Sequence, residues 1–324
     1  MSAVVVEGLE KRYGPVEAVG GIDFEVRSGE IFGFLGPNGA GKTTTIKILC
    51  TLALPSAGRA EVAGFDVTTH PREVRARIGL VFQDQTLDGQ LTAAENLRFH
   101  AALYGVPRHE AERRITQMLE LVGLSDRADD LVSTFSGGMA RRLEIARGLL
   151  HVPQVLFLDE PTVGLDPQTR RRIWEDIRRL RDEMGVTVFL TTHYMDEAEV
   201  CDRIAIIDHG RIVALDTPGA LKQKVGSDRV ELRTADNAAA LGALRRMGMA
   251  AEATSEAVVV WVPDAEAAVA RLVGAVGVPV TFVRVAKPTL DDVFLHFTGR
   301  ELRDEPDQSA GSRRFMAMMA RRRR

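Results

Sequence analysis

Two kinds of hydrophobic spacing run through the first 225 residues. Residues 31–35, 78–82, 155–158, 186–190 and 204–207 are short, nearly unbroken apolar runs. Runs of that length suit strands covered on both faces of a parallel sheet. Residues 22–26 (Ile-Asp-Phe-Glu-Val) instead alternate strictly, as a half-solvated antiparallel strand does. Residues 42–52, 168–184 and 195–201 carry helical spacing. Residues 93–104, 110–122 and 137–150 are helical with no strand between them, which predicts a helical insertion over about 87–150.

Beyond Gly226 the pattern changes. Strand-like stretches at 229–233, 250–254, 257–262 and 280–285 enclose helical stretches at 237–247 and 265–276. The order β-α-β-β-α-β predicts a small α+β domain of ferredoxin-like type over 226–301. Residues 302–324 read as a flexible tail: a linker-like stretch, then Arg313-Arg314, six apolar residues and four arginines. Such an end is either disordered or an Arg-flanked segment lying on an anionic membrane surface.

Composition narrows the class. With 324 residues, 45% hydrophobic and 27% charged, the chain reads as an ordinary globular protein of about two domains. No apolar run approaches the roughly 18 residues that span a bilayer, and no charged start with a cleavage site follows Met1. Basic and acidic residues number 42 and 45, a net charge of −3, which disfavours a nucleic-acid partner. Cys50 and Cys201 stand far apart, so a cytosolic setting without a disulfide framework or cysteine metal site is expected.

The candidate chemistry begins at Gly36-Pro37-Asn38-Gly39-Ala40-Gly41-Lys42-Thr43, which follows an apolar run and opens a helix that continues through Thr44. Glycines let the backbone fold into a nest of N–H groups facing phosphate oxygens, and the helix start adds positive potential. Lys42 is placed to lie along the β- and γ-phosphates, and Thr43 to offer a hydroxyl to Mg²⁺. A second strand ends in Asp159-Glu160, a pair suited to holding Mg²⁺ and to orienting or deprotonating water. His193 closes a third buried strand, at the sheet edge where such folds bind ligands. Phe135-Ser136-Gly137-Gly138-Met139 caps another helix and leaves its first amides open to an anion.

In this order and spacing the residues resemble the ATP-binding-cassette family, over about residues 3–225. The resemblance implies an α/β P-loop NTPase core, a mixed sheet with an antiparallel β subdomain, over 1–225, and cofactors ATP and Mg²⁺. By the same resemblance Tyr13 stacks on adenine, residues 36–44 form the Walker A loop, and Gln83 senses Mg²⁺ and the attacking water. Ser136, Gly137 and Gly138 match the signature, Asp159 and Glu160 the Walker B pair, Asp166 the D-loop, and His193 the switch histidine. Met139 departs from the usual signature glutamine, and Val163-Gly164 from the usual Ser-Ala before Leu165-Asp166.

One Walker A loop and one signature per chain imply a head-to-tail dimer of two copies, each completing the other's nucleotide site. The family further implies a separate transmembrane permease that meets residues 84–89 and the insertion, and hence a peripheral place on the cytoplasmic face of the membrane. Residues 97–130 and 288–301 are similar to the daunorubicin-resistance-type exporter branch, whose cargo is an amphipathic drug, antibiotic or lipid-like molecule. In the latter stretch Leu290, Val293, Phe294 and Phe297 share one helix face. A cassette ATPase that acts on DNA, ribosomes or cluster assembly is the alternative. The interval between Lys42 and Asp159 leaves no room for a long coiled coil, and only one cassette is present.

Overall fold

The apolar runs become strands in a computed structural model of the chain, which describes residues 1–254 and 256–299. These residues group into two units, Met1–Asp216 and the residues from Thr217 onward. The sequence reading placed that change of character nine residues later, at 226. The strands of the first unit are β1 (Ser2–Tyr13), β2 (Val16–Arg27), β3 (Ile31–Leu35), β4 (Ala57–Val62), β5 (Phe65–Asp66), β6 (Ile78–Val81), β7 (Val155–Asp159), β8 (Thr187–Thr192), β9 (Arg203–Asp208) and β10 (Arg211–Asp216). They form a six-stranded sheet in the order β10-β9-β3-β8-β7-β6 and an antiparallel sheet in the order β2-β1-β4-β5. The larger sheet is parallel except at β10, which pairs antiparallel with β9.

Every residue of β3, β7 and β8 is buried, the property that unbroken apolar runs foretell. The two sheets share one core. Phe24 of β2 stacks on Phe32 of β3, ring centroids 5.7 Å apart, and Phe34, Phe157 and Phe189 complete the aromatic cluster. Such offset and tilted rings add attraction beyond the area they bury.

Helices α1 (Lys42–Leu49), α2 (Pro71–Arg75), α3 (Ala93–Leu103), α4 (Arg108–Leu121), α5 (Gly137–Leu149), α6 (Pro167–Met184) and α7 (Met195–Ala198) complete this unit. Two are shorter than their spacing predicts. Helix α1 stops before 52 because Thr51 adopts φ 62° and the amides of Leu52 and Ala53 both turn back to the Lys47 carbonyl. Helix α7 gives way before 201 to a tighter turn, in which the Cys201 amide bonds to Ala198 and the Asp202 amide to Ile31 at the head of β3. In the insertion, Thr92 and Leu131 form an isolated antiparallel bridge, and Thr92 closes a capping box with Glu95 at the start of α3.

The second unit contains α8 (Pro218–Val225), β11 (Asp228–Thr234), α9 (Asn237–Arg246), β12 (Ala251–Ala253), β13 (Val258–Val262), α10 (Ala265–Ala275), β14 (Val280–Ala286) and α11 (Leu290–Thr298). Its sheet runs β12-β13-β11-β14, antiparallel throughout, which is the ferredoxin-like arrangement. Val230, Leu232, Val258 and Val260 pack with Leu244 of α9 and Leu272 of α10. Helix α11 packs with α8 and buries Leu290, Val293 and Phe294, while Phe297 is half-buried. No helix among the described residues is long and apolar enough to cross a membrane. The Arg-rich tail at 302–324, with Arg300 and Glu301, lies outside the described residues.

Candidate nucleotide-binding site

Three neighbouring strands, β3, β8 and β7, deliver the candidate residues to one edge. The chain leaves β3 at Leu35, and the Gly36 amide donates to the Thr192 carbonyl at 3.1 Å, tying the loop to β8. A Cβ on Gly36 would lie 2.3 Å from the Ile207 carbonyl oxygen. At Gly41, with φ 110°, it would lie 2.5 Å from that of Ala18. Only glycine fits either place. Helix α1 has no side-chain cap at Gly41, so its first amides are not claimed by one. Pro37, Asn38, Gly39 and Ala40 form the turn between, closed by the Ala40 amide on the Pro37 carbonyl at 3.2 Å. Thr44 is half-buried in the first turn of α1.

Lys42 reaches back under this loop. Its Nζ donates to the carbonyls of Gly36 (2.7 Å) and Pro37 (3.1 Å) and pairs with Glu160 Oε1 at 3.1 Å. An ammonium has three protons, and three acceptors meet them. Burial lowers the Lys42 pKa, and the neighbouring Glu160 and Asp159 carboxylates offset part of that fall.

Asp159 Oδ1 accepts from Thr191 Oγ1 at 2.6 Å and from Thr43 Oγ1 at 3.3 Å. Burial raises its pKa, and those two hydroxyls offset part of the rise. Glu160 follows with φ 47°, a left-handed conformation costing a non-glycine residue about 1–3 kcal/mol. Its amide is held by the Thr191 carbonyl and hydroxyl, at 3.2 and 3.1 Å. His193 Nδ1 lies 3.3 Å from Glu160 Oε1. Burial opposes ionisation of Glu160, but His193 and Lys42 outweigh it and hold its pKa below the usual carboxylate value.

The fold thus gathers Lys42, Thr43, Asp159, Glu160 and His193. A hydroxyl and a carboxylate 3.3 Å apart are hard oxygen donors that suit Mg²⁺. Among the described residues no group of three or more His, Cys, Asp or Glu side chains is placed to hold a metal ion, so the remaining ligands of such an ion would be water and phosphate oxygens.

Other sequence-predicted residues lie apart. Tyr13, 48% exposed, ends β1 beside the Lys11 ammonium. Gln83 is exposed just past β6, outside the Lys42–Glu160–His193 contact, and only its carbonyl is held, by Arg141. Ser136 caps α5, its Oγ accepting from the Met139 amide at 3.3 Å, and Gly137 is exposed. Gly138 presses on α6, where a Cβ would meet Thr169 Cγ2 at 2.3 Å. Ser136 and Gly138 line an open cavity of about 710 Å³ with Arg142, Thr169 and Arg172, and no phosphate-loop residue lines it. Asp166 caps α6, accepting from the amides of Gln168 and Thr169, both at 3.0 Å.

Sequence reasoning missed three contributors. Thr191 orients both Asp159 and Glu160, yet inside an apolar run its hydroxyl looks like any β-branched strand residue. Glu197, 1% exposed, accepts from Thr192 Oγ1 at 2.5 Å and from Thr162 Oγ1, joining the strand before His193 to the turn after Glu160. Arg141 and Glu144, ion-paired and buried on α5, are the third, and an i, i+3 pair of opposite charges on an otherwise apolar helix face was the available signal.

Known proteins carry the same pattern. The ABC transporter family profile matches residues 19–163. A daunorubicin resistance ATP-binding protein of Streptomyces coeruleorubidus is 45% identical over 92% of this chain and 95% of its own length. A Nod factor export ATP-binding protein of Ralstonia nicotianae is 41% identical (92% and 94%), and a linearmycin resistance ATP-binding protein of Bacillus subtilis 40% (92% and 99%). Among solved structures, an ATP-binding subunit of an ABC transporter superposes with a TM-score of 0.62 at 30% identity, covering 68% of this chain and 92% of that one. A dimeric ATP-binding cassette bound to ADP and Pi gives 0.60 at 27% identity, covering 66% and 98%.

A P-loop ATPase core that brings a lysine, two acids and a histidine together at the ends of parallel strands defines a nucleotide-hydrolysing protein. The chain belongs to the ATP-binding-cassette family, in its daunorubicin-resistance-type branch. It binds and hydrolyses ATP as a subunit of an exporter.

Proposed function

We propose that two copies of this chain bind ATP between them, head to tail, and drive export of an amphipathic drug, antibiotic or lipid-like molecule through a separate transmembrane permease. Residues 1–225 form the ATP-binding domain in this reading, 226–301 a small accessory domain in which α11 braces the dimer or sets its regulation, and 302–324 a flexible tail. The chain works on the cytoplasmic face of the membrane, attached through the permease.

One observation carries the reading. The Lys42–Glu160–His193 cluster is complete within the chain, while Ser136 and Gly138 face an open cavity that no phosphate-loop residue lines. A second copy supplies what the first lacks. The triphosphate takes the place of Glu160 as the counter-charge of Lys42 and gains the loop amides of residues 36–44. Tyr13 stacks on the adenine. Across the interface Ser136 and the amides of Gly137 and Gly138 hold the γ-phosphate, and Asp166 carries the contact between copies.

Freed from Lys42, Glu160 takes a proton from the attacking water while Gln83 and His193 hold that water and the γ-phosphate in line. The oxygen–phosphorus bond to ADP breaks as the new one forms. Mg²⁺, held by Thr43 and Asp159 with Gln83 near its water shell, would neutralise charge on the β- and γ-phosphate oxygens. Loss of the γ-phosphate removes the bridge between copies, so only one nucleotide state favours the closed dimer. Exposed Phe99 and Leu103 on α3 support an apolar seat for the permease beside residues 84–89. Resistance to daunorubicin and linearmycin, and export of Nod factors, in the names of the relatives support the class of cargo.

The test is Glu160→Gln in the full chain. Turnover falls by about 10²–10⁴-fold, the scale of a lost general base, and a stable dimer accumulates with ATP but not ADP in size-exclusion chromatography with light scattering. Parental turnover with no ATP-dependent dimer contradicts the reading. Co-purification of a membrane protein on affinity-tagged chain tests the permease.

A further inference from the structure

Arg141 lies in the second turn of α5, 7% exposed, and makes five hydrogen bonds. Its Nε donates to the Pro161 carbonyl at 2.7 Å. One terminal nitrogen donates to the Phe82 carbonyl and, at 3.0 Å, to Glu144 Oε2. The other donates to the carbonyls of Gln83 (3.2 Å) and Glu160 (3.3 Å). A guanidinium has five N–H groups in one plane, and each has one acceptor here. Glu144, 2% exposed, uses its second oxygen on the Thr86 amide (2.7 Å) and hydroxyl (3.1 Å), and Arg147 closes on the Thr86 carbonyl at 3.0 Å.

Three segments meet on this one side chain: the loop leaving β6, the helix that opens at Ser136, and the turn of Glu160. The last contact bears on chemistry. Glu160 holds φ 47°, and where its carboxylate points depends on its peptide planes being fixed. The plane before it is held by Thr191, and the plane after it by Arg141.

We propose that Arg141, held by Glu144, is a positioning residue that fixes the direction of the Glu160 carboxylate and makes the Gln83–Thr86 loop and the Ser136 helix move with it. The proposal deepens the assignment of Glu160 as the base and rests on it. Displacement of the Gln83–Thr86 loop shifts the Arg141 fork, and with it the Glu160 turn and the start of α5. A lysine keeps the charge pair with Glu144 but loses the fork, because three protons on a point charge cannot span five acceptors in a plane. Glutamine keeps two donors and leaves Glu144 buried without its partner.

The experiment uses the purified full-length chain with Arg141→Lys, Arg141→Gln, Glu144→Gln, Glu160→Gln and the double variant Arg141→Lys/Glu160→Gln. Readouts are kcat, KM for MgATP, equilibrium binding of a fluorescent ATP analogue, and the melting temperature. Arg141→Lys lowers kcat about 10–100-fold, the scale of a catalytic group misplaced by about 1 Å, with KM and analogue affinity within about threefold of the parent. Its melting temperature stays close to the parent's. Arg141→Gln behaves likewise in rate but melts earlier, and Glu144→Gln lies between the parent and Arg141→Lys. The double variant turns over no more slowly than Glu160→Gln alone, because both changes act through one group.

Parental kcat in folded Arg141→Lys overturns the proposal, as does a fall in rate that only tracks the folded fraction. So does a further loss in the double variant. If Arg141→Gln does not fold, Arg141→Lys and Glu144→Gln still decide the matter. Parental turnover by Glu160→Gln defeats the assignment of the base itself, a failure distinct from parental turnover by Arg141→Lys.

Discussion

The Lys42 end and the Ser136 end of the first unit solve the problem of an anionic ligand in opposite ways. Around Lys42 the charge is already matched: an ammonium buried to 4% exposure has a carboxylate and two carbonyls, and Glu160 has Lys42 and His193. Around Ser136 an exposed hydroxyl and a glycine amide border an open cavity rimmed by Arg142 and Arg172. A buried charge without a partner is costly, so the first end must carry an internal counter-charge until phosphate replaces it. Ser136 carries no charge to neutralise and can wait in solvent. One end stores a ligand's place with its own groups, and the other is half of a contact.

The largest expected effect breaks the first end. Lys42→Ala lowers ATP turnover by about 10²–10³-fold, as the loss of a positioned electrostatic donor does, and weakens ATP binding to the single chain. It also leaves Glu160 buried without its cation, so the variant melts earlier than the parent. Phosphate-release assays, nucleotide titration and thermal melts check the three parts.

Gly138→Asp is next and separates the ends. The new side chain must push Thr169 of α6 aside, and it places a carboxylate where a phosphate is meant to approach. Turnover falls by about 10²-fold, the scale of a misplaced active-site contact, while ATP affinity of the isolated chain stays parental. A matching loss of affinity in the monomer would merge the two ends into one site.

Acid distinguishes them further. Burial, with Arg147 and His151 nearby, lowers the pKa of His100 from 6.5 to about 4, and burial lowers that of His151, which follows α5. His100 stays neutral in the folded chain down to about pH 4, while the unfolded chain takes up its proton near the ordinary 6.5. Its contribution is therefore complete above about pH 6.5 and is lost as pH falls toward about 4. Glu160, whose pKa is depressed, contributes fully above the ordinary 4.5 and loses its contribution only below that. Acidification from pH 7 to 5 thus loosens the insertion before the Lys42 end. His100→Asn shrinks the drop in melting temperature over that range, and an unchanged drop counts against His100 as its source.

The smallest effect lies in the second unit. Thr289 and Asp292 form a capping box at the start of α11. Thr289→Ala costs about 1 kcal/mol of local stability, seen in hydrogen exchange of α11, with no change in turnover per folded chain.

Much of this was legible before any coordinates. The unbroken apolar runs located the parallel strands, because burial on both faces removes polar alternation, and the glycines of 36–41 announced a tight loop that admits no Cβ at Gly36 or Gly41. Thr191 and Glu197 were not legible, and the i, i+3 pairing of Arg141 with Glu144 did not reveal what else Arg141 holds. Each acts through partners more than 30 residues away or across a sheet, such as Thr191 on Asp159 and Arg141 on Phe82, and no periodicity records such a distance. Helix α7 ended early for the same reason, because the long-range bond from Asp202 to Ile31 claimed the chain, whereas α1 ended in a local turn where Thr51 takes φ 62°.

Sequence alone determined where the phosphate-loop glycines, the strands and most of the helices lie, since motif spacing and burial pattern are local properties of the chain. Tertiary structure decided that Lys42 rests on Glu160, that Glu160 is held in a left-handed turn, and that one arginine of α5 fastens the loop after β6 to the turn of Glu160. Those outcomes depend on which strand ends lie side by side, and only the packed sheet, in the order β10-β9-β3-β8-β7-β6, brings them there.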